Sequence, residues 1–296
     1  LSAMPSQTFA EGALDAAQQT GKLSYDGYKK VWSDEFNGDS LNRADWNVET
    51  HEKGWVNNEL QEYVDSAENI QVKDGKLIIN PVKKVTDGDT GSTKEAASYT
   101  SGRVSTQNKQ TFIYGRFECR AKVPKGQGYL PAFWLMANDE NVYGQWPRCG
   151  EIDCMEVMGQ ETNKAYGTLH YGNPHSQSQG TYTITDGADF SDDFHIYTCD
   201  WEPGKITWYV DGVKYHEESE WHSTTVGQGT LAYPAPFDQP FYIILNLAVG
   251  GSWVGNPNDE TSFENNPYVI DYVRVYQKDS YDEDVKRPGE ISLVMS

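Results

Sequence analysis

A short acidic segment at residues 150–157 limits what this part of the chain can form. It carries three carboxylates, Glu151, Asp153 and Glu156, and the apolar run after Gly150 contains no Gly, Pro or Asn to mark a loop. Because side chains alternate along a regular strand, Glu151 and Asp153 share one face and Glu156 falls on the other. One inserted residue, a β-bulge, would return Glu156 to the face of the other two.

The apolar residues of the same segment change face at the same place. Ile152 and Cys154 share the face opposite the acids, and the same bulge brings Val157 to that face. The segment is therefore predicted to be a bulged strand with Ile152, Cys154 and Val157 in the core and Met155 as the extra residue. The three acids then face a solvent groove.

Three carboxylates on one face repel one another. The repulsion raises the pKa of at least one of them, which is what an acid catalyst at neutral pH requires. Acid clusters also form structural ion networks and metal sites. On spacing alone, the catalytic and the structural interpretations are equally compatible with the segment.

The rest of the pattern is that of an all-β protein. Asp74-Gly75 and Asp211-Gly212 each separate two apolar-rich segments, which is a two-residue hairpin signal. Residues 117–123 alternate apolar and charged side chains, as in a half-buried strand, and residues 241–249 are almost continuously apolar, as in a strand covered on both faces. Short strands without a long amphipathic helix predict a sandwich or a barrel.

Composition excludes several classes of partner. The 296 residues carry a formal net charge of -20, which argues against nucleic acid and anionic membranes, since both are bound by Lys and Arg. No apolar run approaches the ~20 residues that span a bilayer. Aromatic residues make up 13% of the chain, and sugar-binding grooves use such side chains. We expect a soluble, secreted monomer with a neutral substrate, its secretion signal removed or left out.

The chain is predicted to contain one large domain at residues 31–278. Residues 1–30 are interpreted as an N-terminal extension and residues 279–296 as a solvated C-terminal tail. The four cysteines lack zinc-like spacing. Cys154 is expected to be a buried free thiol, and the sequence leaves open whether any of the cysteines are paired.

The acidic segment resembles the signature of glycoside hydrolase family 16 in its laminarinase-like branch. It reads Glu-x-Asp-x-x-Glu after Trp146-Pro147, and other segments in order from about residue 31 to 277 resemble the same family. The resemblance implies a concanavalin-like jelly-roll sandwich with a concave substrate groove. The resembling segments are residues 32–36, 57–61, 99–103, 131–134, 167–170, 201–203, 246–251 and 271–276.

The resemblance also implies roles for the three acids. Glu151 would be the nucleophile and Glu156 the acid and then the base, with Asp153 between them steering the charge of Glu151. Two carboxylates ~5–5.5 Å apart allow one to attack the sugar directly and give retention of configuration. No cofactor is expected for this chemistry.

A further set of side chains would contact the sugar according to the same resemblance. Trp146 adjoins the catalytic strand, and His170 would lie near the acid. For Arg103 a surface ion pair is the alternative, for Asn58 a plain turn and for Trp253 ordinary packing. Leu130 stands where many relatives have a tryptophan, which changes one aromatic contact. The predicted binding set is Asn58, Arg103, Trp134, Trp146, His170 and Trp253.

A structural calcium site is predicted at the last strand. Asp271 lies in a strand where alternation places it on one face with Val269, Val273 and Val275, and a charge among valines requires a partner or a cation. The family resemblance implies a calcium ion held by Asp271, Glu35 and the carbonyl of Gly75. The alternative is an aspartate paired with Lys or Arg.

The predicted function is retaining endo-hydrolysis of β-1,3-glucan or mixed β-1,3/1,4-glucan. A non-catalytic sugar-binding sandwich would share the architecture, but it has no need for three acids at this spacing. A galactan, agar or mucin-glycan hydrolase is the alternative within the family, and the negative charge disfavours a sulfated polymer. The sequence also leaves open whether the enzyme transfers the cleaved glycosyl group to another sugar instead of to water.

Overall fold

The computed structural model describes residues 25–85 and 97–290, and within them it contains nineteen strands, with residues 288–290 helical. No helix in these ranges is long and apolar enough to cross a bilayer. In chain order the strands are β1 (Tyr28–Asp34), β2 (Asn47–Val48), β3 (Gln61–Tyr63), β4 (Ile70–Lys73), β5 (Lys76–Ile79), β6 (Val82–Val85), β7 (Ala97–Ser101), β8 (Arg103–Ser105), β9 (Thr111–Phe112), β10 (Gly115–Lys122), β11 (Tyr129–Ala137), β12 (Glu151–Glu156), β13 (Lys164–Tyr171), β14 (Ser176–Thr183), β15 (His195–Glu202), β16 (Lys205–Val210), β17 (Val213–Glu218), β18 (Phe241–Val249) and β19 (Tyr268–Lys278).

Two antiparallel sheets of eight strands form a sandwich. The front sheet has the order β14-β13-β12-β11-β18-β8-β2, with β9 paired to β18, and the back sheet has the order β17-β16-β15-β10-β19-β5-β4, with β1 paired to β19. A third sheet of three strands has the order β3-β7-β6. The all-β sandwich predicted from the sequence is confirmed.

The core lies between the two sheets. All nine residues of β18 are buried, as predicted for a strand covered on both faces. Ile152, Cys154 and Val157 are buried in the same core cluster, which confirms their predicted side. All four cysteines are free and buried.

Both predicted hairpins form. Asp74 and Gly75 join β4 to β5 with φ values of 55° and 75°, and Asp211 and Gly212 join β16 to β17 with φ values of 49° and 78°. Positive φ at both central residues makes a turn whose twist matches the flanking strands. Asp and Gly tolerate that conformation better than most residues, which is why the dipeptide located the turns.

The predicted domain bounds of 31–278 stay a prediction, but ordered and packed residues lie beyond them at both ends. Strand β1 begins at Tyr28, and the hydroxyl of Tyr25 donates to Glu118 of β10, so packed residues begin before residue 31. After residue 278, Tyr281 packs against Tyr114 with ring centroids 5.3 Å apart. Residues 279–290 therefore include packed side chains and are not simply a solvated tail, while residues 1–24 and 291–296 lie outside the described part.

Strand β10 also differs from its predicted half-buried state. Glu118 is fully buried, because Tyr25 covers it and Tyr272 of β19 donates a hydrogen bond of 3.0 Å to its carboxylate. Alternation identified the charged face correctly, but it could not show that the chain before β1 lies over that face.

Candidate active site

The three acids of β12 project from one face of the front sheet. On the neighbouring strand β11, Glu156, Asp153 and Glu151 pair with residues 132, 134 and 136, which are alternate residues and therefore share a face. The predicted β-bulge is present, since Cys154 and Met155 lie between the partners of β13 residues 168 and 166. Met155 still pairs with β11, so the residue without a partner there is Cys154 and not Met155 as predicted.

A buried tryptophan of the back sheet supports the bulge from behind. The indole Nε1–H of Trp208 donates to the backbone carbonyl of Asp153 at 2.9 Å. Gly167, opposite the bulge on β13, leaves room for this ring, because a Cβ there would lie 2.3 Å from Trp208 Cδ1. The bulge is thus fixed by packing across the core as well as by the ladder.

Burial and mutual repulsion raise the pKa of all three carboxyls. For Glu151 the pKa is raised well above its usual range, first by burial and then by the charge of Asp153. The pKa of Asp153 is raised in the same direction by burial and then by Glu156. For Glu156, burial and next the charge of Glu151 raise the pKa to about 8, so this group is protonated at neutral pH.

His170 lies at the centre of the site, beside Asp153 and Glu151 rather than beside Glu156, the acid near which it was predicted to lie. Its Nε2 lies 2.9 Å from Asp153 Oδ2 and 3.6 Å from Glu151 Oε2, and it pairs with Glu151 across the ladder. The ligand atoms of these three residues lie within 4.8 Å of one another, so they could hold a divalent cation. The hydrogen bond between His170 and Asp153 already satisfies two of those atoms.

Trp146 contacts the first acid directly. Its indole Nε1–H donates to Glu151 Oε1 at 3.0 Å, while 44% of the residue stays exposed. The side chain of Glu151 keeps 16% of its surface exposed. The carboxylate is therefore largely desolvated but can still be reached, and the tryptophan beside it is partly exposed to solvent.

Arg103 lies between two tryptophan rings. Its guanidinium carbon is 5.0 Å from the ring centroids of both Trp55 and Trp134, and its Nε donates to Glu49 at 3.1 Å. Trp134 itself donates to Asn246 at 2.7 Å. The ion pair considered as the alternative is present, but it is largely buried, and it holds the arginine between the two tryptophan rings.

Asn58 and Trp253 belong to adjoining loops on the Glu156 side. The Asn58 side chain is exposed and donates to Ser252 Oγ at 2.8 Å. Trp253 meets Tyr166 edge to face at 5.3 Å, and Tyr166 is the ladder partner of Glu156. The structure therefore places both predicted residues close to the site, with 46% of Trp253 exposed.

Three further residues of this face were not predicted. Trp55 is 43% exposed and stacks on His51 with centroids 3.4 Å apart. Glu59 is buried, and its charge is one of the causes that raise the pKa of Glu156. His175 contacts His170. Trp55 and Glu59 lie beside or within the segment that resembles the family, whereas nothing in the sequence distinguished His175.

The predicted calcium residues do come together. Glu35, Gly75 and Asp271 line one cavity of about 250 Å³. Asp271 does not share a face with Val273 and Val275, because a bulge leaves it without a partner on β10 while both valines enter the core.

Arginines compete for the same carboxylates. Arg120 donates to Asp271 at 2.8 Å and Arg274 donates to Glu35 at 3.1 Å. Among the described residues lining the cavity, three acids face three bases, the bases being Lys76, Arg120 and Arg274. The oxygen donors suit calcium in kind, but an ion would share them with guanidinium groups, so the calcium site stays a prediction.

The family comparison agrees with this geometry. The sequence profile of glycosyl hydrolases family 16 matches residues 57–274. The chain belongs to glycosyl hydrolase family 16. This family 16 hydrolase therefore carries its bulged acidic strand within the part of the chain that defines the family, and the predicted family is confirmed.

Known relatives are named for hydrolysis of glucan. The family 16 hydrolase is 40% identical over 267 residues to glucan endo-1,3-beta-glucosidase A1 of Niallia circulans, covering 85% of this chain and 38% of that protein. It is 40% identical over 255 residues to glucan endo-1,3-beta-glucosidase of Cryptopygus antarcticus, covering 82% of this chain and 90% of that protein. The solved structure of endo-beta-1,3-glucanase from Pyrococcus furiosus matches with a TM-score of 0.71 and 38% identity, over 86% of this chain and 97% of that one.

Proposed function

We propose that this family 16 hydrolase is a retaining endo-glycosidase that cleaves internal linkages of β-1,3-glucan such as laminarin, and of mixed β-1,3/1,4-glucan. The observation that carries the proposal is the outward face of β12, where Glu151 and Glu156 flank Asp153. The two relatives and the solved structure named above are β-1,3-glucanases by name, which supports glucan as the substrate.

The two glutamates would divide the chemistry. Glu156, protonated at neutral pH because its pKa is raised to about 8, delivers its proton to the glycosidic oxygen. Glu151 attacks the anomeric carbon as the bond to the leaving sugar breaks, forming a glycosyl ester. Glu156 then takes a proton from water as the water attacks that carbon and releases Glu151.

Asp153 would control the charge of the nucleophile. It lies between the two glutamates and is coupled electrostatically to both. A proton on Asp153 leaves Glu151 free to be the one ionised group of the three, which matches the requirements of the first step. Asp153 thus acts through its neighbours and does not itself touch the sugar carbon.

The aromatic residues of this face fit a neutral polysaccharide. Trp55, Trp146 and Trp253 are each between 43% and 46% exposed, and Trp146 donates a hydrogen bond to Glu151. Rings of this kind bind the apolar faces of sugars while amide and guanidinium groups bind hydroxyls. We also propose that the enzyme is a secreted monomer, in keeping with its net charge of -20.

Parallel assays on laminarin, barley mixed-linkage glucan and agarose test the proposal. We expect reducing ends to appear with the two glucans and not with agarose. The Glu151→Ala variant should lose turnover but still bind laminari-oligosaccharides in calorimetry. The control is Glu217→Ala, which alters an exposed acid on β17 and should leave both turnover and binding unchanged. Binding without turnover in the unaltered protein would favour a sugar-binding sandwich, and release from agarose alone would favour a galactan hydrolase.

A further inference from the structure

A hydrogen-bonded chain leads from the acids to the surface. His170 Nε2 lies 2.9 Å from Asp153 Oδ2, and His170 Nδ1 lies 2.7 Å from Nε2 of His175. His175 is exposed and follows β13 in the connection to β14. Nothing in the proposed reaction uses His175, yet it is the residue that contacts the second nitrogen of His170.

The second histidine is held in place by two rings. His175 stacks on His170 with centroids 4.9 Å apart and an interplanar angle of 18°, and it lies 5.3 Å from Trp146. Trp146 in turn donates to Glu151. An exposed imidazole with two ring contacts and one hydrogen bond is positioned and does not move freely.

The tautomer of His170 decides what Asp153 can do. If His170 carries its hydrogen on Nε2, it donates to Asp153, and the proton of Asp153 stays available to the glutamates. If the hydrogen is on Nδ1, Nε2 is a bare lone pair that can bond only to a protonated Asp153 oxygen, which draws that proton away from the glutamates.

Only one hydrogen fits between the two histidines. A neutral His175 can donate its Nε2–H to the bare Nδ1 of a neutral His170 across the 2.7 Å between these atoms. The charged and titratable groups facing His170 are Glu151, Asp153 and His175. Donation from His175 is therefore the arrangement that lets His170 donate to Asp153.

We infer that His175 is a positioning residue, which fixes His170 as the tautomer that donates to Asp153 and so keeps the proton of Asp153 between the two glutamates. The inference rests on the proposed function, since it assigns Asp153 the role of steering Glu151. Substituting residues that orient a metal-ligating histidine typically costs about 10–100-fold in activity, and we expect an effect at the lower end of that range here.

Two substitutions separate the effect of the hydrogen-bond donor of His175 from the effect of its ring contacts. His175→Phe keeps a ring against His170 and Trp146 but removes the donor and shields Nδ1 from water. His175→Gln loses the ring but places an amide N–H near the position of Nε2. We expect kcat on laminari-oligosaccharides to fall about tenfold for the Phe variant and to recover most of that loss in the Gln variant.

A control and a spectroscopic readout complete the test. His222→Gln alters a histidine that contacts Ser176, the first residue of β14, and it should leave kcat unchanged. In ¹⁵N-labelled protein, two-bond ¹H–¹⁵N spectra should show His170 as the Nε2–H tautomer in the unaltered and Gln proteins and as a mixture in the Phe variant.

The outcomes distinguish this inference from the proposed function. Unchanged kcat and an unchanged His170 tautomer in His175→Phe would overturn the role of His175. An unaltered protein without activity on any glucan would overturn the proposed function, while the spectra would still report whether His175 sets the tautomer.

Discussion

Glu156 should set the alkaline limit of activity. Its pKa of about 8 means that about nine tenths of the enzyme carries the catalytic proton at pH 7 and about one tenth at pH 9. Because the acid form is the active one, kcat/KM on laminari-oligosaccharides should fall about tenfold between these two pH values. Activity falls as pH rises because burial and the charge of Glu151 both favour the protonated form of Glu156, and that form is lost above its raised pKa.

Replacing Glu156 by Gln removes the proton donor without changing the shape of the side chain. General acid catalysis contributes about 10²–10⁴-fold, so kcat should fall by that factor and the alkaline decline should vanish with it. A substrate with an acidic phenol as leaving group needs little protonation and should retain much more of its rate. Initial rates between pH 5 and pH 10 measure both effects, with circular dichroism to confirm the fold.

Two further variants sharpen this test. Glu59→Gln should move the alkaline limit to lower pH, because the charge of Glu59 is one of the causes that raise the pKa of Glu156. Glu161→Gln, which removes the partner of the Tyr166 hydroxyl, should leave the limit in place. If Glu156→Gln kept the tenfold decline, or lost less than tenfold in kcat, the assignment of Glu156 as the acid would be refuted.

Three other predictions concern binding and stability. Trp55→Ala should raise KM for laminari-oligosaccharides about fivefold with kcat little changed, because the loss of one ring contact is worth about 1 kcal/mol; an unchanged KM would remove Trp55 from the binding face. Calcium at a hundredfold excess over its Kd should stabilise the fold by about 2.7 kcal/mol. This would be measured as a higher Tm, and the increase should be lost with a chelator or in the Asp271→Asn variant. Equal Tm values with and without chelator would contradict the calcium site. Gly167→Ala should lower the free energy of unfolding by about 1–3 kcal/mol in urea titrations, because its Cβ would lie 2.3 Å from Trp208 Cδ1; an unchanged midpoint would show that the ring can move.

The sequence pattern was sufficient to predict features that depend only on residues close together in the chain. The two Asp-Gly turns depend on residues that tolerate positive φ, so the dipeptides located both hairpins. In residues 150–157 the acids and the apolar residues both change face at the same point, which requires one inserted residue, and the structure contains this β-bulge. The prediction of Met155 as the extra residue was wrong, because Cys154 and Met155 are both apolar and buried and the pattern does not distinguish them.

The sequence pattern did not predict contacts between segments that are far apart in the chain, or departures from strict strand alternation. Arg103 lies between Trp55 and Trp134 because three separate parts of the chain converge on one face, and no spacing in the sequence reports that convergence. Asp271 was placed among valines by strict alternation, which a bulge in β19 breaks. His175 reaches His170 through the connection between β13 and β14, and its residue type alone gave no sign of it.

The stereochemistry of the first product tests the central claim most directly. With laminari-oligosaccharide as substrate, ¹H NMR during the first minutes follows the anomeric proton of the new reducing end before mutarotation. If Glu151 attacks the sugar and Glu156 acts as acid and then base, the β-anomer appears first and the α-anomer follows. Initial release of the α-anomer would mean that water attacks directly, and it would contradict the assignment of a nucleophile and an acid to one face of β12.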